Sequence, residues 1–130
     1  RDARANKILL LGDAAALAAA RPVLAELLGA EASLTVAIPT MLEVLPPGAS
    51  KREGVRAFCD HHGIDEASEL AAVGDGENDA EMLRAAALGV AVANAGAAAM
   101  SAADIVVASN DAGGAAQAIR MALALAPPVR

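Results

Sequence analysis

Val73-Gly74-Asp75-Gly76-Glu77-Asn78-Asp79 is the stretch that decides how the chain is read. It follows the apolar run Leu70 to Val73 and leads into a segment with helical spacing from Asn78 to Ala87, so it marks the passage from a buried strand into a helix. Glycines on both sides of Asp75 permit a tight turn that presents the carboxylate at the C-terminal edge of the strand. In open α/β sheets that edge is where ligands bind.

On the C-terminal side the alternation continues. Gly89 to Ala93 and Asp104 to Ala108 read as short Val/Ile strands, with a small helix from about Ala97 to Ala102 between them and a final helix from about Gly114 to Leu125, before Pro127-Pro128. On the N-terminal side a helix runs from Ser50 to His62 and stops at Gly63, and Pro46-Pro47-Gly48 breaks the chain ahead of it. Leu34 to Ile38 and Met41 to Leu45 are strand-like runs separated only by Pro39-Thr40, too close for a crossover helix, so they pair antiparallel or bend at the proline. Lys7 to Leu11 reads as a strand, followed by an Ala/Leu-rich helix with Asp13 as N-cap, ending near Leu28 at Gly29. The fold class is therefore α/β, with a domain or subdomain boundary at the proline pair: residues 1–45 form one unit and residues 46–130 a regular βα alternation. Strands joined by helical crossovers should lie parallel with right-handed connections.

The 130 residues suffice for about one domain, burying roughly two thirds of the unfolded surface. A hydrophobic fraction of 56% against 20% charged excludes a disordered tail. A net charge of -6 argues against nucleic acid or an anionic membrane as partner, and one Phe without Trp or Tyr leaves no base-stacking platform. The Ala-heavy runs are interrupted by Asp13, Arg21, Glu26, Arg84 or Asp104 before they reach the length of a membrane span. The lone Cys59 supplies neither an internal disulfide nor a thiolate cage, which points to a reducing cytoplasm. The chain starts at Arg1 rather than Met, lacks the order of a signal peptide, and reads as a fragment.

Asp75, Glu77 and Asp79 place three acidic groups within five residues, which repel one another unless a cation or solvent screens them. Magnesium takes oxygen ligands, keeps several waters and is commonly held by one or two carboxylates plus substrate phosphate, a match to an acidic turn without His or Cys. Asn78 adds an amide donor suited to a phosphate oxygen. A purely structural alternative is that Asn78 or Asp79 caps a helix and the glycines make a tight loop. Lys51 lies at the start of a helix, where the dipole favours anions, so its position is unfavourable unless an anion is recruited; a phosphoryl group would satisfy both. Alone, Lys51-Arg52 would read as a solvated pair. His61-His62 fits better as a favourable charge at a helix C-terminus than as a site, Cys59 as a core residue, and Met41, Met82, Met100 and Met121 as gap fillers.

Three stretches together resemble the C-terminal half of Cof-type phosphatases of the haloacid dehalogenase-like (HAD) superfamily: Leu42-Glu43-Val44-Leu45-Pro46-Pro47-Gly48-Ala49-Ser50-Lys51, Gly74-Asp75-Gly76-Glu77-Asn78-Asp79-Ala80-Glu81-Met82-Leu83, and Gly89-Val90-Ala91-Val92-Ala93-Asn94-Ala95. The resemblance implies that residues up to Leu45 are the end of an α/β cap, and that Pro46 onward is the second half of a Rossmann-like core with a parallel sheet. It also implies a magnesium-dependent phosphomonoester hydrolase acting on a sugar phosphate or another small phosphorylated metabolite through an aspartyl-phosphate. Carried over residue by residue, Asp75 is a catalytic magnesium ligand, Lys51 a catalytic contact to the transferring phosphoryl group, Asn78 a phosphate contact and Asp79 an acidic support of the metal.

Two family motifs have no match. The paired aspartates after the first core strand are absent: Asp2 follows no strand, and Asp13 is followed by Ala14-Ala15. The Ser or Thr after the next strand is absent too, since Thr35 and Thr40 lie in the cap-like part. The expectation is that the chain alone lacks the nucleophile, is inactive, and has an open sheet edge inviting a homo-oligomer or a missing N-terminal segment. The alternative is a non-catalytic binding or oligomerisation module that keeps the fold. The segments Gly74 to Asp79 and Ala102 to Val106 are also similar to the phosphorylation domain of P-type cation pumps, but Ala80 stands where pumps carry proline, and no span is present.

Overall fold

In a computed structural model, which describes residues 5–125, two three-stranded sheets share the chain on either side of the Pro46-Pro47-Gly48 break. Pro127-Pro128, Arg1 and Asp2 lie outside the described residues. The first part comprises β1 (Ile8–Leu11), α1 (Ala14–Leu28), β2 (Ser33–Ile38) and β3 (Met41–Leu45). Both outer strands run antiparallel to β3, in the order β1-β3-β2, so Pro39-Thr40 turns the chain back rather than bending it. The register shifts between Val36 and Ile38, next to that turn. Asp13 caps α1 by accepting from the backbone N–H of Ala15 and Ala16, and Gly29, at φ 50°, ends it.

The second part comprises α2 (Lys51–His62), α3 (Glu66–Glu69), β4 (Ala71–Gly74), α4 (Ala80–Ala85), β5 (Leu88–Val92), α5 (Ala97–Ala102), β6 (Ile105–Val107) and α6 (Gly114–Leu125). Its strands are parallel in the order β4-β5-β6, joined by helices as parallel neighbours require. Strand alternation sends side chains to two faces. Ala72 packs with Ala80, Leu83, Ala99 and Ala102 from α4 and α5, whereas Val90, Val92 and Val107 pack with Ala118 of α6. Alanine on the first face lets helices approach closely; the larger valines fill the second. Strand β4 is paired on one side only, and no described helix is long and apolar enough to cross a membrane.

Two local expectations change. The helix expected from Asn78 to Ala87 is a 3-10 turn over Glu77–Asp79 followed by regular helix only from Ala80 to Ala85. The Asp79 side chain folds back onto the preceding turn, and Ala86-Ala87 lead into β5, where the Ala87 N–H donates to the Glu66 carbonyl. The four-residue α3 has no counterpart in the sequence reading. Asp65 caps it, and Glu69 accepts from the Asp65 N–H in return.

Candidate functional site

The 74–79 turn is built around the Asp79 carboxylate, which is buried with 3% of the residue exposed. Its Oδ2 accepts from the backbone N–H of Asp75 at 3.1 Å and of Gly76 at 3.0 Å. Its Oδ1 accepts from Lys51 Nζ at 2.5 Å. Burial pushes the Asp79 carboxyl up, but the Lys51 bond and the Gly76 and Asp75 amides outweigh it, leaving the group below the usual carboxylate range. Gly74 makes this folding-back possible. A Cβ there would lie 2.5 Å from Asp79 Cβ and 2.8 Å from its Cγ.

Lys51 opens α2 behind Ser50, whose Oγ accepts from the Glu53 N–H at 3.1 Å. An ammonium at a helix N-terminus opposes the dipole, and the anion that offsets it is Asp79. The other half of the Lys51 side chain is solvent-exposed, so the ammonium is held from behind by Asp79 while keeping an open side. Glu77 is matched too: Arg21 of α1 donates to its Oε2 at 2.8 Å and its Oε1 at 2.5 Å, a two-pronged fork, and to the Leu34 carbonyl at 3.4 Å. The fork raises the pKa of Arg21 against the cost of its partial burial.

The three acidic groups of the turn are thus sorted. Asp79 and Glu77 each have a cation, whereas the exposed Asp75 carboxylate makes no side-chain hydrogen bond or ion pair among the described residues. An oxygen-preferring divalent cation fits that donor: a single open carboxylate at a strand end, in a turn that contains no His or Cys to favour a softer metal. No cluster of three or more His, Cys, Asp or Glu that could hold a metal ion exists among the described residues, so this chain offers one carboxylate rather than a cage.

A cleft of about 900 Å³ opens between the two parts, lined by Lys51 and Asn78 together with Arg21, Glu43, Lys7 and Arg84. It takes in two of the four residues singled out from sequence. Asp75 and Asp79 are not on its lining, but the Asp75 amide and the Lys51 ammonium meet on the same Asp79 carboxylate. His61 and His62 are exposed at the end of α2 beside Phe58, away from the cleft, and Cys59 is fully buried. Sequence reasoning missed Arg21 and the nearly buried Glu43, which Lys7 reaches at 2.9 Å. Partners 56 and 36 residues apart leave no local spacing that would have found them.

A family model described as haloacid dehalogenase-like hydrolase matches residues 1–119. The chain is 47% identical over 75 residues to the chloroplastic endoribonuclease YBEY of Arabidopsis thaliana, a match that covers 58% of this chain but 13% of that protein. A phosphatase of the haloalkanoate (HAD) enzyme superfamily from Bacteroides thetaiotaomicron superposes with a TM-score of 0.74 at 30% identity, over 95% of this chain and 44% of that one. A HAD/COF-like hydrolase from Plasmodium vivax superposes with a TM-score of 0.85 at 26% identity, over 93% of this chain and 43% of that one. The chain thus spans less than half the length of each of these proteins.

Proposed function

Because the chain belongs to the haloacid dehalogenase-like hydrolases, we propose that it carries the cation-holding and charge-stabilising half of a magnesium-dependent phosphomonoester hydrolase site. The substrate class is a small phosphorylated metabolite, such as a sugar phosphate. The observation that carries this reading is the single Asp79 carboxylate that fixes both the Lys51 ammonium and the amides flanking Asp75. Placing a cation and an open carboxylate on one rigid support suits phosphoryl transfer, where catalysis is mostly positioning and electrostatics.

In this role Lys51 directs its charge at the equatorial oxygens of the transferring phosphoryl group, and Asp79 supports it from behind. Asn78, half-buried on the cleft wall, donates its amide to a phosphate oxygen. Asp75 holds the magnesium ion, which when bound supplies positive charge where negative charge develops. With both oxygens engaged, Asp79 serves as the support of the lysine and of the turn, and touches the metal only indirectly. The covalent route through an aspartyl-phosphate needs a nucleophilic aspartate, and no paired-aspartate motif is matched in these 130 residues.

The test is hydrolysis of a panel of small phosphomonoesters by the full-length protein, with and without magnesium. Wild-type turnover that requires magnesium and falls at least about a thousandfold in Asp75→Asn and Lys51→Met, with unchanged circular dichroism, is the expected result. Turnover in the presence of a chelator, or retained in Asp75→Asn, overturns it.

A further inference from the structure

Only one bidentate ion pair of the described side chains joins the two parts of the chain: the fork of Arg21, on α1, onto Glu77, in the 74–79 turn. The same guanidinium donates to the Leu34 carbonyl in β2, so one side chain grips helix, strand and turn at once. A second approach lies farther along β2, where a Cβ on Gly76 would come 3.6 Å from the Ala37 carbonyl oxygen. The turn is therefore tied to β2 through Arg21 near Leu34 and lies close against it near Ala37. Glu77 sits two residues from Asp75 and one from Asn78, so whatever fixes Glu77 fixes the backbone that presents both.

We propose that the Arg21–Glu77 fork is a latch that sets residues 1–45 against the 74–79 turn, with both partners acting as positioning residues for Asp75 and Asn78. This deepens the function proposed above and rests on it for its effect on turnover, but not for its effect on structure. Two physical consequences follow from the geometry. First, the latch offsets the negative charge of Glu77 and occupies both its oxygens, so Asp75 is the turn's remaining open carboxylate and Glu77 is a weaker competitor for a cation. Second, because the wall of the cleft carrying Arg21, Lys7 and Glu43 belongs to residues 1–45, the width of the cleft depends on the latch.

Exposed ion pairs contribute little on average, and both partners here are more than a third exposed. Their geometry separates this pair from the average one. Two parallel bonds plus the third to the Leu34 carbonyl fix the guanidinium plane, and Arg21 has no competing carboxylate bonded to it among the described residues. A latch of this kind is strong enough to bias an arrangement and weak enough to open, and its hold falls as salt screens it.

Arg21→Gln, Glu77→Gln and the double variant, all in the full-length protein, test the proposal by amide hydrogen exchange and by steady-state hydrolysis of a small phosphomonoester. Each single variant is expected to speed exchange about fivefold or more in both residues 33–38 and residues 74–79. The double variant should match either single, because each partner acts through the other. In hydrolysis, kcat/KM should fall about fivefold or more and the magnesium concentration giving half-maximal rate should rise about fivefold, because the fork positions both the proposed metal ligand Asp75 and the proposed phosphate contact Asn78. Effects that multiply in the double variant, faster exchange in one of the two segments alone, or rates within about twofold of wild type in both segments overturn the latch. So do a kcat/KM and a magnesium requirement that both stay within about twofold of wild type in an enzyme that turns over. Wild-type protein that hydrolyses no phosphomonoester, while its exchange shows the coupled pattern, removes the proposed function and leaves the latch standing.

Discussion

Removing the Asp79 carboxylate is the most informative single perturbation, because three groups depend on it. In Asp79→Ala the N–H groups of Asp75 and Gly76 lose their acceptor, and Lys51 loses its anion at the start of α2. An unsatisfied donor costs about 1–3 kcal/mol when buried; both amide bonds are only part-buried, so about 1 kcal/mol each is the fitting figure. The Lys51 pair is half in water, which cuts its value from the several kcal/mol of a fully buried pair to about 1 kcal/mol. Asp79→Ala should therefore lower stability by about 3 kcal/mol in urea unfolding, with an unchanged slope. Asp79→Asn keeps one oxygen to face the two amides and loses the charge pair, so it should cost about 1–2 kcal/mol. Lys51→Met in the Asp79→Asn background should add less than about 0.5 kcal/mol, since no pair remains to break. The pH profile gives the sign independently. A carboxyl held below its ordinary range adds stability that is fully present above about pH 4 and is lost as pH falls through the folded value. The advantage of wild type over Asp79→Asn should accordingly be flat above about pH 4 and shrink below it. A cost under 1 kcal/mol for Asp79→Ala, or wild-type and Asp79→Asn curves that stay parallel into acid, would refute the account of the turn.

Three further outcomes follow from neighbouring residues. Gly74→Ala forces a Cβ to within 2.5 Å of Asp79 Cβ, so it should destabilise by about 1–3 kcal/mol, and activity should fall with it because Lys51 moves with Asp79; an unchanged melting temperature counts against this packing. Asp75→Asn alters an exposed side chain with no hydrogen bond of its own among the described residues, so stability should stay within about 0.5 kcal/mol while magnesium binding, followed by calorimetry on the full-length protein, is lost. Burial pushes the Cys59 thiol up, with the Glu66 and Asp60 charges adding to it, and leaves the residue 0% exposed; a disulfide reagent should therefore react with it only as fast as α2 opens, and prompt labelling of native protein would contradict the burial.

The parts of this fold that were legible in the sequence are those whose cause lies within a few residues. Ser50 capping α2 and Gly63 ending it at φ 68° are local events, as are Asp13 and Gly29 around α1, and each is found where residue type alone puts it. The short Pro39-Thr40 spacing leaves antiparallel pairing or a bend, of which the fold takes the first, and the helical crossovers beyond Gly48 give parallel strands. The failures have a different cause. Asn78 to Ala87 has helical spacing, but spacing is blind to a side chain that prefers the amides behind it, and Asp79 uses its oxygens there, so a 3-10 turn precedes Ala80. Four residues are too few for any period to reveal α3. Arg21 was legible only as an interruption of an apolar run, because its partner is 56 residues away.

The same contrast explains the chemistry of the turn. Three carboxylates in five residues look from sequence like one ligand cluster, whose mutual repulsion a cation or solvent must screen. The fold relieves most of that repulsion itself, by bringing Lys51 to Asp79 from 28 residues away and Arg21 to Glu77 from the other part of the chain. What remains is one charge on one exposed side chain, Asp75. A turn with all three acids open would bind a cation wherever it found room; with two acids already paired, the proposed cation would have a single open carboxylate, Asp75. The cost of that selectivity is dependence on distant residues. A charge change at Arg21, remote in sequence from every candidate ligand, returns Glu77 to competition with Asp75, and it should therefore disturb metal placement more than an equal change at the exposed histidines of α2.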